Sequence, residues 1–217
     1  MFTGIIEEKG TIQQIKQTGD AIVMKIEASE ILSDVHLGDS IAVNGVCLTV
    51  TSFDSLAFTV DLMPETVRNT SLRELSIGSK VNLERAMSAN GRFGGHFVSG
   101  HVDGIGTIKA KRREHNAVYY EIEVSSNLRK YMILKGSVSV DGTSLTIFGL
   151  TEDTFTISII PHTIEETIIG SKGPGDIVNV ECDMLAKYIE ELIARRTMSN
   201  ESKSNHITED FLKENGF

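Results

Sequence analysis

Two residues of reactive type occupy equivalent positions in an internally repeated sequence. Cys47 lies in GVCLTV, and Ser144 lies 97 positions later in GTSLTI; a threonine, Thr49 or Thr146, follows each two residues on. Alternate residues of a strand share a face, so each pair is expected on one side of a strand. The thiol and the hydroxyl could each add to an electrophilic carbon. The alternative is that both are small residues filling a barrel corner, and spacing alone favours this alternative.

Other positions carry a chemically versatile side chain in one repeat only. These differences are His101 for Ile5, Lys135 for Gly38, Asp183 for Ala86 and His162 for Glu65. An imidazole can act as a general base near neutral pH, whereas the structural alternative is a histidine in a Gly-rich linker. Because the lysine and the aspartate are present in one repeat only, they are not expected to serve the fold that both repeats share. The alternative is that they are ordinary surface residues, since both residue types are common on protein surfaces. No cysteine and histidine spacing predicts a zinc site, so no metal is expected.

The repeat itself predicts the domain organisation. Gly4, Gly10, Thr11 and Ile12 recur 96 positions later, and the spacing becomes 97 further along the chain. A repeat of about a hundred residues is too long for a solenoid unit and fits a duplicated domain. We expect domains over 1–96 and 97–186, followed by a helix and tail over 187–217. Two similar domains imply two similar pockets, and therefore a protein that handles two copies of one ligand.

Each repeat is predicted to be rich in short strands. Asn44-Gly45 and Asp141-Gly142 lie between Val- and Ile-rich runs and predict type I′ hairpin turns. Further β-like runs lie at 21–29, 57–63, 80–86, 117–125, 154–160 and 176–182. Five or six strands per repeat indicate an all-β sandwich or small closed barrel. Short helices are predicted after Pro64 and Pro161. A longer helix over 183–196 has an apolar stripe that could pack on the body or on a partner chain.

Composition excludes several function classes. The chain has 217 residues and a net charge of −9, which argues against nucleic-acid binding. The basic run at 109–113 is interpreted as a solvated turn. No apolar run is long enough for a membrane span, and the N-terminus does not resemble a signal peptide. Two cysteines do not form a disulfide framework, which favours a reduced, cytoplasmic protein. No Gly-rich dinucleotide fingerprint precedes a helix.

Several long motifs together resemble one family. They are MFTGII, NGVCLTV with DGTSLTI, GGHFVSGHVDG, and DLMPET with IIPHT. They are similar to the riboflavin synthase (alpha chain) family, whose duplicated barrels bind lumazines, from Met1 to about Tyr188. The resemblance implies two tandem six-stranded Greek-key β-barrels with short helices and a C-terminal α-helix. It also implies a homotrimer formed through that helix, with each site between the first barrel of one chain and the second barrel of its neighbour.

The resemblance further implies the reaction. Two molecules of 6,7-dimethyl-8-ribityllumazine exchange a four-carbon unit, giving riboflavin and 5-amino-6-ribitylamino-uracil without cofactor or metal. The implied catalytic candidates are Cys47, Ser144, His101, Lys135, Asp183 and Phe2, and base and nucleophile are not distinguished. A lumazine synthase capsid is a candidate partner that the sequence leaves open.

The implied substrate-binding segments fall into one set per barrel. The first set is Gly4, Ile5, Ile6, Cys47, Leu48, Thr49, Asp61, Leu62, Met63, Pro64, Glu65 and Thr66. The second set is Gly100, His101, Val102, Lys135, Ser144, Leu145, Thr146, Ile159, Ile160, Pro161, His162, Thr163 and Ile164. The threonines are expected at the pyrimidine edge and the apolar side chains on the ring faces.

Two rival functions are compatible with the same fold. A non-catalytic lumazine- or flavin-binding protein would be expected to lose the polar residues of one repeat, and this chain keeps both sets. A flavin-dependent reductase module would need a following nucleotide-binding domain, which the sequence lacks.

Overall fold

The strands form two closed antiparallel barrels of six strands each. The computed structural model describes residues 1–18, 21–201 and 209–216. In the first barrel the strands are β1 (Glu8–Thr18), β2 (Ala21–Glu27), β3 (Ser40–Val43), β4 (Val46–Phe53), β5 (Ala57–Leu62) and β6 (Lys80–Arg85). In the second they are β7 (Gly104–Glu114), β8 (Ala117–Glu123), β9 (Ser137–Val140), β10 (Thr143–Leu150), β11 (Thr154–Ile159) and β12 (Ile177–Cys182). The all-β prediction is confirmed.

Both barrels have the same strand order. Around the first barrel the order is β1-β2-β5-β4-β3-β6, and the second repeats it with β7 to β12. Three hairpin-connected strands, β3 to β5, lie beside β2, which is a Greek key. β-Bulges recur at equivalent places, between Ile12 and Gln14 and between Ile108 and Ala110. Bulges sharpen strand twist and help a short sheet to close.

The two predicted hairpin turns are confirmed. Asn44 and Gly45 have φ values of 48° and 80°, and Asp141 and Gly142 have φ values of 45° and 83°. Two successive positive φ angles define the type I′ turn, which matches the twist of the flanking strands. Each turn therefore sets the register of the hairpin that carries Cys47 or Ser144.

Each barrel is stabilised by an apolar core of its own. Phe58, Ile41 and Leu83 are fully buried in the first core, and Phe155 and Ile157 are fully buried in the second. Alternation along the strands sends these side chains inward and leaves polar side chains on the outside.

Short helices follow the fifth strand of each barrel, as predicted. α1 (Pro64–Asn69) and α3 (Pro161–Glu166) begin with proline, and each is followed by a short 3₁₀ turn. A proline suits the first helical position because its missing N–H has no partner there. Another short helix, α2, spans Ser126–Arg129.

The basic run at 109–113 is not a turn, so that interpretation is wrong. It lies in β7, which pairs with β8 up to Glu114 and Ala117. The Lys111 ammonium lies 5.2 Å from the ring centroid of Tyr120, and the Arg112 guanidinium lies 4.9 Å from that of Tyr119. The long basic side chains cover the tyrosine rings on the neighbouring strand, and these contacts explain why a polar run forms a strand of this hairpin.

Equivalent residues of the two repeats contact one another across a local twofold axis. Phe2 and Val98 form an antiparallel bridge with N–O distances of 2.7 and 3.2 Å. A Cβ placed on Gly45 would lie 2.7 Å from the Gly142 nitrogen, and a Cβ on Gly142 would lie 2.8 Å from the Gly45 nitrogen. The two hairpin turns therefore meet backbone to backbone, which only glycine allows.

Two asparagines make reciprocal hydrogen bonds across this axis. Asn82 Nδ2 donates to the Asp141 carbonyl oxygen at 2.9 Å, and Asn179 Nδ2 donates to the Asn44 carbonyl oxygen at 2.8 Å. All four residues are buried. Because buried amides need partners, these bonds tie the orientation of one barrel to the other.

The chain after the barrels forms a separate unit. Both barrels belong to the compact unit Met1–Met184, and the second unit is Leu185–Phe217. Its helices are α4 (Met184–Glu201), longer than the predicted 183–196, and α5 (Glu209–Glu214). Along α4 the apolar side chains of Leu185, Tyr188, Ile189, Leu192 and Ile193 are exposed. Within the described ranges, no helix is long and apolar enough to cross a membrane.

Candidate active sites in the two barrels

The first barrel has a cavity at the end of its Cys47 hairpin. The cavity has a volume of about 310 Å³, within the range of small-molecule sites. It is lined by Val46, Cys47, Met63, Glu65, Thr66, Asn69, Thr70, Gly100, His101 and Val102. The lining combines β4, the α1 segment and a piece of the second repeat, so the second repeat completes the pocket of the first barrel.

The contribution of the second repeat is a short segment that we call the second strap, residues 99–102. The Cys47 N–H donates to the Gly100 carbonyl oxygen at 2.9 Å. Gly100 has a φ of 81°, and a Cβ on it would lie 2.6 Å from Cys47 Cβ and 2.8 Å from Phe2 Cε2. Gly100 is therefore required by both its backbone angle and this close approach. Phe2 is fully buried against the same cluster.

In the second barrel the Ser144 hairpin contacts the equivalent segment of the first repeat, which we call the first strap, residues 3–6. The Ser144 N–H donates to the Gly4 carbonyl oxygen at 2.7 Å. A Cβ on Gly4, whose φ is 78°, would lie 2.7 Å from Ser144 Cβ. The local twofold thus places the first strap against the Ser144 hairpin as it places the second strap against Cys47.

This exchange of straps corrects the predicted grouping of the binding segments. The sequence prediction placed Gly4 to Ile6 with Cys47 and Gly100 to Val102 with Ser144, and that assignment to barrels is wrong. Each strap crosses to the other barrel because Phe2 and Val98 pair at the local axis, just before the straps begin. His101 consequently lies in the Cys47 pocket.

Ser144 is hydrogen-bonded to a histidine that sequence reasoning did not select. His96 Nδ1 lies 2.7 Å from Ser144 Oγ, and His96 is 8% exposed. Its Nε2 has no hydrogen-bond partner among the described residues. Burial lowers the pKa of His96 below its ordinary value, and the nearby Asp183 carboxylate raises it in part. A neutral imidazole beside a hydroxyl can act as its general base.

His96 was missed because it precedes the aligned repeat and has no counterpart in the first barrel. The signal that could have selected it is its position after Gly94-Gly95. A Cβ on Gly95 would lie 2.8 Å from Ser144 Cβ, and a Cβ on Gly94 would lie 3.1 Å from Ile5 Cγ1. The glycines therefore let the linker between the barrels approach Ser144 closely and bring His96 to it.

The remaining catalytic candidates lie at different distances from these pockets. Asp183 is close enough to His96 to act on it electrostatically. Lys135 is exposed, and its ammonium lies 4.4 Å from the ring centroid of Phe148. The catalytic role of Lys135 stays a prediction.

The predicted binding side chains divide into exposed and core positions. Met63 and Ile160 are 71% and 57% exposed, so their side chains are available to a planar ligand. Leu48, Leu62 and Ile159 are buried in the barrel cores and could meet a ligand only through their backbone. Thr49 and Thr146 are exposed on β4 and β10, on the same strands as Cys47 and Ser144.

Comparison with known proteins identifies the family. The model of the lumazine binding domain matches this chain twice, over residues 3–86 and 99–183. The riboflavin synthase of Bacillus subtilis (strain 168) is 61% identical over 218 residues, covering 100% of both chains. The chain belongs to the riboflavin synthase family. The riboflavin synthase of Actinobacillus pleuropneumoniae is 56% identical, covering 100% of both chains. The riboflavin synthase of Schizosaccharomyces pombe is 46% identical, covering 89% of this chain and 94% of that relative.

Solved structures share the family fold. LumP complexed with 6,7-dimethyl-8-(1′-D-ribityl) lumazine superposes with a TM-score of 0.75 and 26% identity, covering 83% of this chain and 98% of that chain. LumP complexed with riboflavin gives a TM-score of 0.78 and 27% identity, covering 84% of this chain and 99% of that chain.

Proposed function

We propose that this chain is a riboflavin synthase, a transferase that acts on two molecules of 6,7-dimethyl-8-ribityllumazine. A four-carbon unit passes from one molecule to the other, giving riboflavin and 5-amino-6-ribitylamino-uracil. The observation that carries the proposal is the Cys47 pocket completed by the second strap, together with the equivalent but chemically different Ser144 hairpin against the first strap, in a chain 61% identical over its whole length to a riboflavin synthase. One site offers Cys47 and His101, and the other offers Ser144 and His96.

The duplicated barrel suits a reaction between two copies of one substrate. Each barrel holds one lumazine, and the chemistry needs one molecule to donate carbons and the other to accept them. Holding both rings in reacting geometry replaces a bimolecular encounter, which is worth about 7–11 kcal/mol at best. The sites must differ because their ligands play different roles, and Cys47 against Ser144 and Ile5 against His101 supply that difference.

The Ser144–His96 pair is the proposed source of acid–base chemistry. The C7 methyl group of a bound lumazine is acidic because its carbanion delocalises into the ring system. A base removes this proton from one molecule, and a nucleophile adds to C7 of the other. His96 is neutral near pH 7, because burial lowers its pKa, and it can accept a proton through Ser144. Asp183 then stabilises the imidazolium that forms.

The assembly is proposed to be a homotrimer formed through α4. Five apolar side chains of this helix are exposed to between 54% and 67%, which is typical of a surface that a partner chain covers. The reacting lumazines then lie in the first barrel of one chain and the second barrel of its neighbour. We also propose a cytoplasmic location, since both cysteines are free thiols. A lumazine synthase capsid remains a candidate partner.

The direct test is turnover of the lumazine alone. Purified protein mixed with 6,7-dimethyl-8-ribityllumazine, without any other reactant, should produce riboflavin fluorescence while two lumazines disappear for each riboflavin formed. Binding without riboflavin formation would instead support a non-catalytic lumazine- or flavin-binding protein of the same fold. Oxidation of NAD(P)H by the protein would support the reductase alternative.

A further inference from the structure

Two buried glutamates occupy equivalent positions on the last strands of the barrels. Glu84 lies on β6 and Glu181 on β12, and they are 4% and 2% exposed. Burying a carboxylate is unfavourable unless hydrogen bonds compensate it. Burial raises the pKa of Glu84, and hydrogen bonds from the backbone and hydroxyl of Thr3 act in the opposite direction.

Each carboxylate is hydrogen-bonded to one of the straps. Glu84 Oε1 accepts the N–H and hydroxyl of Thr3 at 2.7 and 2.9 Å, and Oε2 accepts the N–H of Gly4 at 3.0 Å. Glu181 Oε1 accepts the N–H and hydroxyl of Ser99 at 2.6 and 2.8 Å, and Oε2 accepts the N–H of Gly100 at 3.0 Å. In both halves of the chain the carboxylate therefore accepts the same three kinds of hydrogen bond, from two successive backbone N–H groups and one hydroxyl.

The glutamates act on opposite barrels. Glu84 belongs to the first barrel, but the Gly4 it holds accepts the N–H of Ser144 in the second. Glu181 belongs to the second barrel, but the Gly100 it holds accepts the N–H of Cys47 in the first. In each case the N–H of one glycine binds the carboxylate, while its carbonyl oxygen binds the hairpin of the other barrel.

We propose that Glu84 and Glu181 are positioning residues that act across the local twofold axis, each fixing the strap that is hydrogen-bonded to the Cys47 or Ser144 hairpin of the other barrel. The meaning of these hairpins as parts of lumazine sites rests on the proposed function. The two hairpins of one chain are then linked, because a change in one barrel alters the surroundings of the opposite hairpin through its strap.

The test measures thiol reactivity without any ligand. Cys47 is partly exposed beneath the second strap and Cys182 is buried, so alkylation by iodoacetamide can be assigned to Cys47 by peptide mass spectrometry. Glu181→Gln keeps the shape of the side chain but places an NH₂ donor near backbone N–H donors. We expect it to accelerate Cys47 alkylation about tenfold, the effect of losing a buried charged hydrogen bond. Glu84→Gln, an equally buried matched control, should leave that rate unchanged.

The reciprocal experiment places the reporter in the other barrel. In a Cys47→Ser, Ser144→Cys background, Glu84→Gln should accelerate alkylation at position 144, whereas Glu181→Gln should not. Ser99→Ala removes the hydroxyl bond to Glu181, together with the bond that the same oxygen accepts from the His101 N–H, and keeps both backbone N–H bonds to the carboxylate. It should give a smaller acceleration at Cys47, which provides a measurement if Glu181→Gln does not fold. Equal acceleration by both glutamate variants, or acceleration within the mutated barrel only, would refute cross-axis positioning. Because no substrate is present, the outcome is independent of the riboflavin assay.

Discussion

The close approach of Gly100 to Cys47 can be separated from the strain of its backbone angle. Gly100 and Gly38 have φ values of 81° and 91°, so alanine is strained at both positions. This strain is about 1–2 kcal/mol for a residue with a Cβ. A Cβ on Gly38 would meet nothing within 4 Å, and the equivalent Lys135 has a φ of 67°, which shows that a side chain fits there.

At Gly100 the added Cβ would also collide with its neighbours. It would lie 2.6 Å from Cys47 Cβ and 3.1 Å from the Cys47 nitrogen, both fixed by the β4 hairpin. Overpacking of this kind adds about 1–3 kcal/mol. We therefore expect Gly38→Ala to lower the free energy of unfolding by about 1–2 kcal/mol and Gly100→Ala by about 2–5 kcal/mol.

The assay compares urea unfolding of the two variants with the parent protein, together with riboflavin formation. Gly38→Ala should retain turnover, whereas Gly100→Ala should lower it because the second strap moves away from the Cys47 pocket. Equal destabilisation by the two substitutions, with turnover retained in both, would show that the strap does not press on Cys47 and would refute the reasoning.

Four further predictions concern His96, Cys47 and the C-terminal helix α4. His96→Asn should reduce turnover by about 10²–10⁴-fold if His96 is the general base, whereas His36→Asn, at an exposed histidine, should have no effect on riboflavin formation. Because burial lowers the pKa of His96, the neutral imidazole contributes to the free energy of unfolding above about pH 6.5. This contribution is lost as pH falls through the lowered pKa of the folded protein. The parent should therefore lose more stability than His96→Asn between neutral pH and about pH 5, and parallel unfolding curves would contradict this. Cys47→Ser should keep the fold by circular dichroism and lower turnover, and unchanged kinetics would reassign the thiol to packing. Truncation after Met184 should leave folded monomers with little activity, and a fully active monomer on a sizing column would disprove the trimer proposal.

Local sequence signals predicted ten of the twelve strands and missed two for a physical reason. β1 is rich in Lys and Gln, β7 is rich in Lys and Arg, and neither shows clear apolar alternation. They form strands because their inner ends close the barrels against β6 and β12, and because their outer ends pair with β2 and β8. Pairing with a neighbouring strand outweighed the low β-propensity of the residues.

The candidate site was predictable only in part. Comparison of the repeats selected Cys47, Ser144, His101 and Asp183 because these positions differ in chemical type between two halves that share a fold. It could not select His96, which lies in the linker and has no equivalent residue for comparison. It also could not assign the straps, since sequence order places each strap beside its own barrel.

What the sequence by itself determined was local or periodic: the duplication, the type I′ turns and the reactive pair at equivalent hairpins. These features follow from residues close together in the chain, where φ preferences and side-chain alternation act directly. What only the tertiary structure decided was which segments meet across the local axis. The straps, the His96–Ser144 hydrogen bond and the buried glutamates depend on surfaces about a hundred residues apart, brought together when Gly45 and Gly142 allow the two hairpins to touch.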